Sequence, residues 1–196
     1  MNTIGDIGTL LVSTLGSLYL MAILLRFLLQ LSRADFYNPI TQMIVRFTDP
    51  GVQVFRRFIP GVRGIDLSSL VLAIVFQCAA MYALIFLAGL QFPNFGLILT
   101  WGLAGILSFI LNIYFWGMLI SIIASFIAPF SGHPALVLVR QLTEPVMAPF
   151  RRLLPSMGGL DLSPIFVFLA IQIIRIVLII PVQANPRFVL GQIGKS

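Results

Sequence analysis

The chain alternates between long apolar runs and connecting stretches in which polar and apolar residues recur at helical spacing. Four runs stand out: Ile7 to Leu31, Leu67 to Leu90, Leu97 to Phe126 and Pro164 to Val182. Each approaches or exceeds the roughly 20 largely apolar residues that a helix needs to cross a bilayer. They predict four transmembrane helices. The third is long for one span, which a tilt or an extension beyond the hydrocarbon accommodates.

The connectors after the first and third runs have a pattern of their own. Asn38-Pro39 supplies a helix cap followed by proline at the first helical position, and Ile40, Met43, Ile44 and Phe47 then follow at the spacing of one helical face. Ala135, Leu138, Val139 and Leu142 hold those places in the second connector. Asp49-Pro50 and Glu144-Pro145 look like a second start, so each connector reads as two short helices. In the later piece, Val54, Phe55, Phe58 and Ile59 share one side while Gln53, Arg56 and Arg57 share the other. Met147, Phe150, Leu153 and Leu154 against Arg151 and Arg152 repeat the arrangement. Such a helix suits the plane of the lipid headgroups, where each arginine near an anionic surface contributes roughly 1 kcal/mol. It also suits a cap packed on the bundle. Pro60 and Pro155 end these helices, with Gly61, Gly64, Gly158 and Gly159 giving the turns that follow. Asp66 and Ser68, like Asp161 and Ser163, stand where the next span needs its N-cap.

These parallels amount to a tandem duplication offset by 95 residues. Of the 21 positions from Thr48 to Ser68, ten are identical at the offset, with no gap. Tyr19 falls on Tyr114, Pro39 on Pro134 and Gln77 on Gln172. The repeats divide the chain into 1–96 and 97–196. Two spans per repeat is an even number, so the copies share one orientation, and an axis along the membrane normal should relate them.

Composition agrees with a membrane protein: 59% of residues are hydrophobic, 9% are charged and the mean hydropathy is +1.06. The first run is expected to be retained rather than cleaved as a signal, because Met1 to Asp6 carry no basic residue. Cys78 is alone, so an internal disulfide is excluded, and it reads as a small buried hydrophobe. The net charge of +6 would suit a nucleic-acid partner, but its distribution argues against one. Eight of the twelve basic residues lie in the two long connectors and none lies in the short one, Gln91 to Gly96. Arginine near span ends accumulates on the cytoplasmic side, which predicts cytoplasmic connectors and both termini outside.

The whole chain resembles the bacterial YggT family, also called YlmG-like. The resemblance rests on Asn38-Pro39, Thr48-Asp49-Pro50, Phe55-Arg56-Arg57-Phe58-Ile59-Pro60 and Ile65-Asp66-Leu67-Ser68. Their second copies are Thr143-Glu144-Pro145, Pro149-Phe150-Arg151-Arg152-Leu153-Leu154-Pro155 and Asp161-Leu162-Ser163-Pro164. Val54 stands where the family usually has a second proline, kept as Pro149 in copy two. The resemblance implies a small inner-membrane protein without enzymatic activity, connected with osmotic or ionic stress tolerance, cell division, membrane or nucleoid organisation, or cytochrome assembly.

Candidate chemistry is sparse. His133 precedes Pro134 at a helix start and reads as a helix-start residue. No phosphate-binding loop, zinc spacing or haem-attachment motif occurs, and no cofactor is expected. Polar residues inside the spans are more informative, because each is costly in lipid and usually faces a partner. They are Gln77, Asn112, Gln172 and Arg175. Arg26, near the end of the first span, reads as a snorkelling anchor. Two functions are compatible with this set. One is a scaffold or assembly factor whose Arg56, Arg57, Arg151 and Arg152 meet anionic lipid and a protein partner at the cytoplasmic face. The other is a small transporter or channel component with a pathway near the intramembrane polar residues. Small residues at Gly117, Ser121 and Ser125, and at Ala79 and Ala83, permit close helix packing within one bundle or in a homo-oligomer.

Overall fold

The computed structural model describes residues 3–59, 65–128, 131–153 and 163–183. Among them the regular structure is all helical, with no strand. The helices are α1 (Thr3–Leu31), α2 (Pro39–Arg56), α3 (Leu67–Leu87), α4 (Phe95–Ile127), α5 (Pro134–Leu153) and α6 (Ser163–Ile174). A π-helical turn, Arg175–Ile179, and a last short helix, α7 (Ile180–Gln183), complete the fourth span. Four helices, α1, α3, α4 and α6 with its extension, are long and apolar enough to cross a membrane. The chain is a multi-pass membrane protein.

Each apolar helix begins or ends where its local chemistry changes. Asn38 Oδ1 accepts from the Ile40 amide, Asp66 Oδ1 from the Ser69 amide and Asn94 Oδ1 from the Leu97 amide, so α2, α3 and α4 all start on a side-chain cap. The second span stops at Leu87, three residues before the end of its apolar run. Gly89 adopts a φ of +67° there, a conformation that side chains rarely tolerate, and turns the chain toward α4.

The connectors differ from expectation. Each holds one continuous helix, not two: α2 runs through Pro50, and α5 runs through Pro145 and Pro149. A proline inside a helix removes one hydrogen bond and crowds the preceding turn. Thr48 and Thr143 stand two residues before the first proline of each helix and bond back to the turn that precedes them. The Thr48 hydroxyl lies 2.8 Å from the Ile44 carbonyl and 3.2 Å from that of Val45, and Thr143 is placed likewise against Val139 and Arg140 at 2.9 and 3.3 Å. Both threonines are fully buried. The repeated Thr-acid-Pro unit therefore marks a weakened turn inside a helix, packed against the spans through its buried threonine, and not a helix start.

Within each repeat the connector helix packs across the rim of the two spans that it joins. Thr41, Ile44, Thr48 and Val52 form the buried seam of α2, which Leu20, Ile23, Leu24 and Leu72 of α1 and α3 help to enclose. Gly51 allows this approach, since a Cβ there would lie 2.6 Å from Tyr19 Oη and 3.0 Å from Leu72 Cδ2. In copy two, Leu111 and Met118 of α4, Met147 of α5, and Val167 and Ile171 of α6 build the corresponding core.

The two repeats meet along the spans and at the connector rim, and α1 packs on both α4 and α5. α3 packs on α4 along the spans, and α2 meets α5 at the connector rim. There Asn38 Nδ2 donates to Pro134 O at 2.8 Å, the Asp35 amide to Gln141 Oε1 at 2.9 Å and Ser32 Oγ to Leu142 O at 3.4 Å. The joint is one-sided. Among the described residues α6 does not pack on α1, so the α3–α4 contact has no counterpart closing the molecule on itself.

Candidate functional site

The first site lies at the connector rim of copy one. Arg26 is 4% exposed, so it does not snorkel to the surface as its sequence position suggests. Its Nη1 donates to Asp49 Oδ1 at 2.7 Å, to Thr48 Oγ1 at 3.0 Å and to Val45 O at 3.2 Å. Its Nε lies 3.5 Å from Asp66 Oδ2, which also accepts from Arg56 Nη2 at 3.0 Å and from Ser69 Oγ at 2.8 Å. Two cations and two anions thus alternate across α1, α2 and α3. The physical reason is solvation: a guanidinium below the headgroups needs acceptors, and the Thr-Asp-Pro unit supplies two, with the Val45 carbonyl just before it as a third. Asp66 caps α3 and joins the ion pairs with the same carboxylate. Ser68 has a different task from capping its own helix, since its Oγ donates to Ile59 O at 2.7 Å and ties the end of the connector helix to the span.

Copy two builds its rim differently. Arg26 corresponds to Ser121, so no buried cation faces the second Thr-acid-Pro turn from that position. Glu144, the counterpart of Asp49, is exposed and accepts from Arg151 Nη1 at 2.8 Å. Ser163 is buried at the start of α6. Asp161, Pro155, Gly158 and Gly159 lie outside the described residues, as do Pro60, Gly61 and Gly64 of copy one. The arginine pairs divide. Arg56 and Arg151 turn to carboxylates of the chain, whereas Arg57 and Arg152 are exposed beside them. Alongside Arg57, Met43, Phe47, Val54 and Phe58 leave the apolar edge of α2 uncovered, with Met43 64% and Phe58 80% exposed. α2 has three faces: a buried seam, an apolar edge directed away from the bundle and an arc carrying Arg46, Gln53 and Arg57.

The intramembrane polar residues occupy two separate places. Gln77 lies between α3 and α4, against Gly102 and Gly105. Asn112, Gln172 and Arg175 lie on the outer side of α4 and α6, where Arg175 Nη2 donates to Asn112 Oδ1 and both Asn112 and Gln172 are exposed. The same place in copy one carries no charge, because Asn112 corresponds to Ser17, whose hydroxyl donates to Ser13 O, and Arg175 to Ala80. An open groove lined there by Leu15, Gly16, Phe76, Ala79 and Ala83 takes the position of the arginine. The Arg26 cluster is hidden from sequence reading because its partners are tertiary; the one available signal is that two of the chain's six acids sit in the repeated motifs of copy one.

Comparison with known proteins agrees with this two-repeat architecture. The CCB3/YggT family model matches twice, over residues 6–87 and 100–182. An uncharacterised protein of Pseudomonas aeruginosa is 50% identical, the alignment covering 86% of each chain. A Vibrio alginolyticus protein described as lying in the proC 3' region is 40% identical over 83% of this chain and 88% of its own. The uncharacterised protein YggT of Escherichia coli K12 is 34% identical over 97% and 96%. No solved structure matches. The two matched segments each span one copy of the helix–connector–helix unit, and the chain belongs to the CCB3/YggT family.

Proposed function

We propose that this protein is a non-enzymatic scaffold or assembly factor of the bacterial inner membrane, with both connectors cytoplasmic and both termini periplasmic, acting in tolerance of osmotic or ionic stress. The observation that carries this reading is the clamp on α2. Arg26, Asp49, Asp66 and Arg56 fix an amphipathic helix to the spans while its apolar edge and Arg57 face outward. A rigidly held surface of that kind suits anionic headgroups and a protein partner lying against them. The stress connection comes from the family resemblance. Transport is less well supported, since a pathway needs its polar groups to converge, whereas Gln77 lies apart from Asn112, Gln172 and Arg175.

The test is complementation in a strain that relies on this protein, using Arg57→Gln with Arg152→Gln so that the internal ion pairs remain. Growth in high salt or osmolyte should fail at normal protein abundance, and purified protein in proteoliposomes should pass no ions. Full complementation would remove the exposed arginines from the function. Ion flux from pure protein would establish the transport reading instead.

A further inference from the structure

The fourth span leaves open a face that its duplicate in copy one keeps against protein. Gln77 of α3 lies against glycine at two positions of α4 three residues apart: a Cβ on Gly105 would lie 2.9 Å from Gln77 Nε2, and one on Gly102 would lie 3.7 Å from Gln77 Cγ and 3.2 Å from Cys78 Sγ. Gln172 is the same residue one repeat later, and it is exposed on α6 between Leu169 and Ile176, which are exposed as well. Beside it stands Arg175. Its Nη2 reaches Asn112, but its Nε is buried without a partner. The backbone widens into a π turn at this residue, a distortion frequent at functional sites. An amide, a partly satisfied guanidinium and a distorted turn share one side of a transmembrane helix.

The chain itself cannot complete this site. Its six acidic residues lie in the connectors, at their margins or near the far end of α1. At a rise of about 1.5 Å per residue, Arg175 is roughly 18 Å from the connector end of α6, and Asp6 is roughly 37 Å from that end of α1. A second copy brings no carboxylate to the required depth. Nor can it repeat the α3–α4 contact, because the counterparts of Gly102 and Gly105 on α1 are Ile7 and Leu10, whose side chains fill the space an amide would need. The repeats' own head-to-tail contact therefore cannot be continued by another copy. A lipid phosphate fits poorly too. The guanidinium is drawn sideways to Asn112, and exposed Ile176, Leu178 and Ile180 lie between it and the outer end of the span.

We propose that the Asn112–Gln172–Arg175 face docks a transmembrane helix of a different protein. That helix would carry small residues three apart against Gln172 and a carboxylate at the depth of Arg175. A carboxylate neutralises the guanidinium through the nitrogens on its outward side, and small residues let the backbones close around the amide. This partner rests on the scaffold reading, to which it adds a second, intramembrane attachment point.

The experiment measures energy transfer between the labelled full-length protein in liposomes and synthetic transmembrane peptides. The probe is a leucine-rich helix with a Gly-x-x-Gly segment and one Asp at matching depth. Its controls carry Leu in place of Asp, or Leu in place of both glycines. The Asp peptide should bind about tenfold more tightly than either control, as expected of a polar contact between helices in lipid. Arg175→Leu should remove the preference for Asp, and Gln172→Leu the preference for glycine. Equal binding of all three peptides overturns the proposal, as does transfer between two labelled copies of the protein that Gln172→Leu abolishes. Because the controls change only the peptide, a variant that fails to fold leaves the test intact. Stress complementation is read separately, so a scaffold without this docking face would be recognised as such.

Discussion

Arg26 and Arg175 are both guanidiniums in an apolar setting, and their surroundings make different demands on the molecule. Arg26 has carboxylates on two sides, a hydroxyl and a carbonyl. Removing it would leave Asp66, which is 3% exposed, with Arg56 alone for charge compensation among the described residues. Arg26→Met should therefore destabilise the protein by about 3 kcal/mol, as expected when one member of a buried pair is deleted. Arg151→Gln opens an exposed pair, where the cost should stay below about 1 kcal/mol. Unfolding of both variants in detergent measures the difference directly. The contrast was not legible in the sequence: Asp49 is 23 residues from Arg26, and nothing local records that the two face each other. Arg175 was easier to read, because a cation far from both ends of an apolar run must find an acceptor, and Asn112 lay in the neighbouring span.

At the scale of elements, apolar length and the 95-residue offset were enough to locate the four spans and pair the copies, since both signals extend over many residues. Boundaries inside the connectors were harder. A proline after an acidic residue signals a helix start, yet the same dipeptide occurs within α2 and α5, where residues buried on both sides of it (Thr48 and Val52, Thr143 and Met147) hold the helix against the spans and outweigh one lost hydrogen bond. The face of α2 is set by Gly51 as much as by hydrophobicity. Gly51→Ala should push the helix off Tyr19 and Leu72, at a cost of about 1–3 kcal/mol for overpacking. Tyr19→Phe removes the closest atom, so the double variant should recover part of that loss. Additive losses in a thermal denaturation cycle would show that Gly51 does not set this contact.

For the whole molecule, the charge distribution predicts which side of the membrane each connector occupies, whereas the fold by itself carries no such label. In a Cys78→Ser background, an impermeant thiol reagent added to intact cells should label Gln91→Cys and spare Gly132→Cys; the reverse pattern would invert the topology. Gly132 is suitable because a side chain there meets nothing within 4 Å. The short connector has a further consequence. The halves already grip each other through α3 and α4 and through Asn38, Asp35 and Ser32 at the opposite rim. Only the Gln91 turn makes them one polypeptide. Severing it should release little, so genes for the two halves expressed separately should yield fragments that find each other in the bilayer and purify together. The covalent link would then be a device for keeping equal numbers of two unlike subunits.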